Sequence, residues 1–112
     1  MTEFEIQILS TGLRPLVALI GELDINSAPK VREALLTLQG QGATGFVLDV
    51  TKLSFIDSTG LGTLVAVWNA LGSPERAIRL AGATPAVARA FAITGLADIF
   101  PNFSSAEEAA VQ

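Results

Sequence analysis

Residues 46–71, FVLDVTKLSFIDSTGLGTLVAVWNAL, change hydrophobic period within one unbroken stretch. Phe46-Val47-Leu48-Asp49-Val50 is a short apolar run that reads as a buried strand. A polar turn and a second apolar patch, residues 53–56, come next. Beyond Asp57-Ser58-Thr59-Gly60-Leu61-Gly62, the positions Leu61, Leu64, Val65, Trp68 and Leu71 recur at helical spacing and form an inward face. A buried strand feeding an amphipathic helix is the building unit of α/β folds with parallel sheets. The junction sets Ser58 at a helix start, where unpaired N–H groups and the positive dipole end accommodate negative charge.

The rest of the chain repeats this alternation. Phe4, Ile6 and Ile8 alternate with polar neighbours and predict a half-buried strand. Gly12 and Pro15 mark a turn, and the apolar run 16–20 predicts a buried strand that forms an antiparallel hairpin with the first. Residues 21–26 read as a loop. Asn26 or Ser27 can cap the following helix, with Pro29 in its first turn and Val31, Ala34, Leu35 and Leu38 on one face. After the central strand and helix, residues 77–81 predict a strand. Thr84-Pro85 opens a helix that packs through Val87, Ala88 and Phe91 and ends at Gly95. Residues 96–100 read as a last strand or extended link, and Ser105 with Glu108 as a capping box for a terminal helix. The expected order is β-β-α-β-α-β-α-(β)-α. This is an α/β fold with a single mixed, mostly parallel β-sheet and helices packed mainly on one face. Arg76, Arg79 and Arg89 are expected at the solvated surface, and Asp49 as a polar contact within an apolar strand.

Composition narrows the chemistry. With 112 residues the chain is sized for one domain, expected to span residues 1–112. It has no cysteine, so neither disulfides nor thiolate chemistry are available. It has no histidine, which removes the usual general base and the Ser-His arrangement of hydrolases. A net charge of −4 argues against direct nucleic-acid binding. No apolar run approaches the ~20 residues that span a bilayer, and MTEFEIQI lacks the basic and apolar regions of a signal peptide. The expectation is a non-enzymatic, cytoplasmic protein with no membrane insertion, metal or cofactor.

Asp57, Ser58 and Thr59 precede a helix, and simple capping is one reading of them. The sequence is no P-loop, because Gly-Lys-Ser/Thr is missing. It is no nucleophile elbow either, because Gly-x-Ser-x-Gly is missing. Gly60 and Gly62 each lower helix propensity by about 1 kcal/mol against alanine, a loss that calls for compensation. Bare backbone there permits close approach of a kinase, a partner surface or an adjacent loop.

Asp57-Ser58-Thr59-Gly60-Leu61-Gly62, preceded by Phe55-Ile56, resembles the signature of anti-sigma factor antagonists of the bacterial STAS domain family. Gly21-Glu22-Leu23-Asp24 before a capped helix is similar to the family's other motif. Ile93-Thr94-Gly95-Leu96, Ile99-Phe100-Pro101 and Ser105-Ala106-Glu107-Glu108-Ala109 resemble its C-terminal end.

The resemblance implies a STAS fold and regulation by partner switching. An unmodified antagonist binds an anti-sigma factor serine kinase of GHKL type and so frees a sigma factor. Phosphorylation, here at Ser58, prevents that binding, and a PPM-type phosphatase reverses it. The implied partner-binding residues are Asp24, Asn26, Asp57, Ser58, Thr59, Gly60, Leu61 and Gly62. A local loop contact is the alternative for Asp24, capping for Asp57, and inward packing for Leu61. Many family members carry serine where Thr59 stands, which leaves open a second acceptor. Rival readings within the family are the STAS subunit of an ABC lipid-transport system and a stressosome-like scaffold, both without kinase switching.

Overall fold

The computed structural model describes residues 3–111. Among them, six strands form one sheet, accompanied by four α-helices. The order is β1 (Glu5–Ile8), β2 (Leu16–Leu23), α1 (Ala28–Gly40), β3 (Phe46–Asp49), β4 (Leu53–Ile56) and α2 (Ser58–Ala70). Then come β5 (Ile78–Ala81), α3 (Pro85–Ile93), a single 3-10 turn (Leu96–Asp98), β6 (Asn102–Phe103) and α4 (Ala106–Val111). Strands run β1-β2-β3-β5-β6 across the sheet, with β4 also paired to β2. Only the β1–β2 hairpin is antiparallel. The expected mixed, mostly parallel sheet is therefore present.

Alternation along the strands builds two layers. Val17, Leu19, Phe46, Leu48, Ile78 and Leu80 point to one face and form the main core. There they meet Val31 and Leu35 of α1, Leu64 and Val67 of α2, and Val87 and Phe91 of α3. The residues between them face the other way. Val47 and Ala81 pack with Ala109 of α4, the one short helix on that side. Trp68, half-buried on α2, stacks edge-to-face on Phe100 and donates its indole N–H to the Pro74 carbonyl at 2.9 Å. On α2 the fully inward positions are Leu61, Leu64 and Val67, while Val65, Trp68 and Leu71 lie at the rim.

Several sequence expectations are corrected. Residues 53–56 are a separate strand rather than an apolar patch before the helix. β3 and β4 lie end to end along β2: Leu16–Ala18 face Val47–Asp49, and Gly21–Leu23 face Leu53–Ile56. β2 accordingly runs on through Leu23, where a loop was expected. Gly21 permits this with a φ of 110° at the register shift, a conformation that L side chains rarely adopt. Residues 96–100 form a 3-10 turn and a link, and the last strand is Asn102–Phe103.

Arg79 is not solvated. It is only 7% exposed, under α4, where Nη1 donates to the Ala109 carbonyl at 2.7 Å and Nε to the Arg76 carbonyl at 3.1 Å. Burial, with help from the charges of Arg14 and Arg76, lowers its pKa. Asp49 is half-buried and accepts from the Thr51 N–H at 3.0 Å and hydroxyl at 2.7 Å, closing the β3–β4 turn.

Candidate functional site

The parallel β2–β4 pair brings two loops to one end of the sheet. Leu23 and Ile56 are register partners, so Asp24 and Asp57 leave the sheet side by side. The Asp57 N–H donates to the Leu23 carbonyl at 3.2 Å, which ties the start of α2 to the end of β2. Asp57 has extended backbone, and its Oδ1 accepts from the Gly60 N–H at 2.9 Å, a side-chain helix cap. That cap orients the first turn and leaves Ser58 as its first residue. Ser58 and Thr59 are both exposed. The first turn of α2 contains no acidic side chain, and the one carboxylate at this helix end, that of Asp57, is engaged by the Gly60 N–H.

The two glycines have different surroundings. Gly60 is buried, and a Cβ there would lie 2.8 Å from the Leu23 carbonyl oxygen and 2.9 Å from Ile56 Cγ1. It compensates for its lost helix propensity by letting α2 approach the β2–β4 pair. Gly62 is exposed and has nothing within 4 Å of a built Cβ. Leu61 is 6% exposed and takes the inward-packing alternative, so its side chain lies outside the open surface.

The neighbouring loop is held by its own hydrogen bonds. Asp24 Oδ1 accepts from the N–H groups of Asn26 at 2.9 Å and Ser27 at 3.2 Å. Asn26 or Ser27 was expected to cap α1; Ser27 takes the cap position, and here the structure differs. Its side chain makes no capping bond. The Ser27 hydroxyl donates instead to the Glu22 carbonyl at 2.7 Å and accepts from the Asp24 N–H at 2.9 Å. Pro29 does lie in the first turn of α1. The Asp24 carboxylate thus makes the local loop contact, while Asn26 projects from the loop and is exposed.

Two apolar residues at this end were absent from the sequence-derived site. Ile25 is 68% exposed on the Asp24 loop, and Phe55 is 46% exposed on β4 beside its register partner Glu22. Phe55 lies two residues before Asp57, where the signature motif begins. Its position between two strand residues was the available signal. Among the described residues, no group of acidic side chains is arranged to hold a metal ion, and no helix is long and apolar enough to cross a membrane.

The STAS domain profile matches residues 6–109. The chain belongs to the STAS domain family. The anti-sigma-B factor antagonist of Listeria monocytogenes is 40% identical over 79 residues, covering 70% of this chain and 69% of the relative. Among solved structures, an anti-sigma factor antagonist from Mycobacterium paratuberculosis superposes with a TM-score of 0.84 at 25% identity, covering 96% of this chain and 92% of that one. The antagonist SpoIIAA shares the fold. Its unphosphorylated form gives a TM-score of 0.76 at 24% identity, covering 95% of this chain and 92% of that one. The phosphorylated form of SpoIIAA from Bacillus gives 0.67 at 23% identity, covering 95% and 96%.

Proposed function

We propose that this STAS protein is an anti-sigma factor antagonist that works by partner switching, with Ser58 as the phosphorylated residue. Its docking surface is the exposed end of the β2–β4 pair with the open face of the first turns of α2. Ser58, Thr59 and Gly62 supply the helix side, Asp24, Ile25 and Asn26 the loop side, and Phe55 an apolar flank. Asp57, Gly60 and Leu61 act from beneath, by fixing how α2 presents that face.

The observation that carries the reading is the exposed Ser58 at a capped helix start, one residue after the Asp57 cap. A kinase can reach it, and a phosphate there joins helix N–H groups without unfolding the turn. The relatives' names support an anti-sigma factor as the partner, and the resemblance of the signature motif implies that this partner is a GHKL-type serine kinase. The same resemblance implies a PPM-type phosphatase as the enzyme that resets the protein.

The switch is electrostatic. A phosphoserine adds about 1.5 to 2 negative charges, beside Asp57 and near the Asp24 loop. In a closed interface such a dianion must lose its water and face whatever the partner buried against a neutral hydroxyl. A penalty of about 3 kcal/mol weakens binding roughly hundredfold, enough to release a micromolar complex.

The test is incubation with the candidate kinase and ATP, followed by intact-mass measurement and site mapping. One phosphate is expected on the wild type, at Ser58, and none on Ser58→Ala, which still binds the kinase. Ser58→Asp is expected to bind at least tenfold more weakly. Phosphate incorporation by Ser58→Ala equal to that of the wild type removes Ser58 from the mechanism.

A further inference from the structure

The sheet leaves the β1 edge open. β1 pairs with β2 and closes the strand order on that side, while β6 at the opposite edge is only two residues long. The Leu9 N–H donates to the Leu16 carbonyl at 2.8 Å. In an antiparallel ladder the backbone groups of the alternate residues, Ile8 and Ile6, then point away from β2. Exposed edges are usually blunted by shortness, charged side chains, proline or a bulge. β1 reads Glu-Ile-Gln-Ile in unbroken register, with no lysine, proline or bulge, and its one charge is that of Glu5.

Both faces beside this edge are unfilled. Towards α1, Ile8 is 49% exposed over a cleft of about 330 Å³ floored by Ala34 and Leu38 and rimmed by Lys30 and Glu33. On the opposite face, Leu9 is 54% exposed beside a cleft of about 220 Å³ that includes Gln7 and Ile20.

We propose that a second copy of this chain docks antiparallel along β1, about a two-fold axis at Ile6, so that two sheets join into one. Ile6 then opposes its symmetry mate, Ile8 opposes Phe4, and Glu5 opposes Gln7. The outward backbone groups pair in this register, and apolar side chains meet on the α1 side. Glu5 and Gln7 meet on the other side, twice by symmetry, at the non-hydrogen-bonded positions where side chains come closest. The two are chemically matched: within one chain the Gln7 amide already donates to the Glu5 carboxylate. A slip by one residue would set the apolar row against Glu5 and Gln7, so the pattern selects this register. The proposal does not depend on the role of Ser58.

Sedimentation equilibrium of the full chain, from micromolar towards millimolar concentration, is the test. The wild type is expected to pass from monomer to dimer. Gln7→Glu sets carboxylate against carboxylate at two symmetric positions and is expected to raise the dissociation constant about tenfold. Adding Glu5→Lys to Gln7→Glu is expected to restore association. Ile6→Pro removes an N–H that points away from β2, so it is expected to abolish the dimer while leaving the far-ultraviolet circular dichroism unchanged. A monomer at every concentration overturns the proposal. So does a dimer indifferent to Gln7→Glu and Ile6→Pro, or one weakened by Gln7→Glu that the charge-reversed pair does not rescue.

Discussion

Gly60→Ala and Gly62→Ala are expected to move stability in opposite directions, although each adds the same methyl group to the same helix. Position 62 is the simpler case. Nothing lies within 4 Å of the added carbon and the backbone there is helical, so only propensity changes. Gly62→Ala should stabilise by about 0.5–1 kcal/mol. For a chain of this length that raises the melting temperature by about 2–5 °C. At position 60 the propensity gain is the same, but the methyl group meets the Leu23 carbonyl oxygen at 2.8 Å and Ile56 Cγ1 at 2.9 Å. Backbone cannot rotate away, so the start of α2 must lift by several tenths of an ångström and disturb the Asp57–Leu23 hydrogen bond. Overpacking of this kind costs about 1–3 kcal/mol, which leaves Gly60→Ala roughly 1 kcal/mol less stable than wild type after the gain is subtracted. Urea unfolding followed by Trp68 fluorescence measures both. If Gly60→Ala equals or exceeds the wild type, the α2–β2 contact has slack and the packing argument is wrong. Kinase binding supplies a second readout: Gly62→Ala should bind more weakly despite its greater stability, because its methyl group stands on the docking face.

Ser27→Ala should destabilise by about 1–2 kcal/mol, because it removes part-buried hydrogen bonds to the Glu22 carbonyl and from the Asp24 N–H; chemical denaturation checks this. Arg79→Ala removes the hydrogen bond that holds α4 at the Ala109 carbonyl, a second bond to the Arg76 carbonyl, and a side chain packed beneath the helix. Its loss is expected to cost about 2 kcal/mol and to speed amide exchange in Ala106–Val111 far more than in α1. Uniform exchange in both helices would mean that Arg79 does not fasten α4.

What the sequence made legible followed from period and punctuation. The helical spacing in α1 and α2 and the Thr84-Pro85 cap were clear, as was the alternation in β1. Thr84 indeed accepts from the Val87 N–H at 3.3 Å. β4 was not legible, because its four residues show no two-residue alternation: Leu53 and Ile56 are buried while Ser54 and Phe55 are not. The end of β2 was hidden by Gly21, a residue that usually interrupts strands and here sits at a register shift. Arg79 lies between Ile78 and Leu80, a pattern that ordinarily means solvent on the charged side. Its burial depends on α4, a six-residue helix whose docking no local pattern announces. At the candidate site, motif spacing located the Asp57–Gly62 turn and the Asp24 loop. It could not separate Gly60 from Gly62, because the difference lies in Leu23 and Ile56, far off and close by in the chain respectively.

The tight seating of Gly60 on Leu23 also limits how a signal can be written into this molecule. A helix start with no clearance cannot swing when its first residue is esterified. A phosphate at Ser58 would therefore alter the surface and leave the architecture behind it alone. The marked and unmarked proteins would melt alike and differ in amide shifts only near α2. The duration of the inactive state would then be set outside the protein, by how fast another enzyme removes the mark.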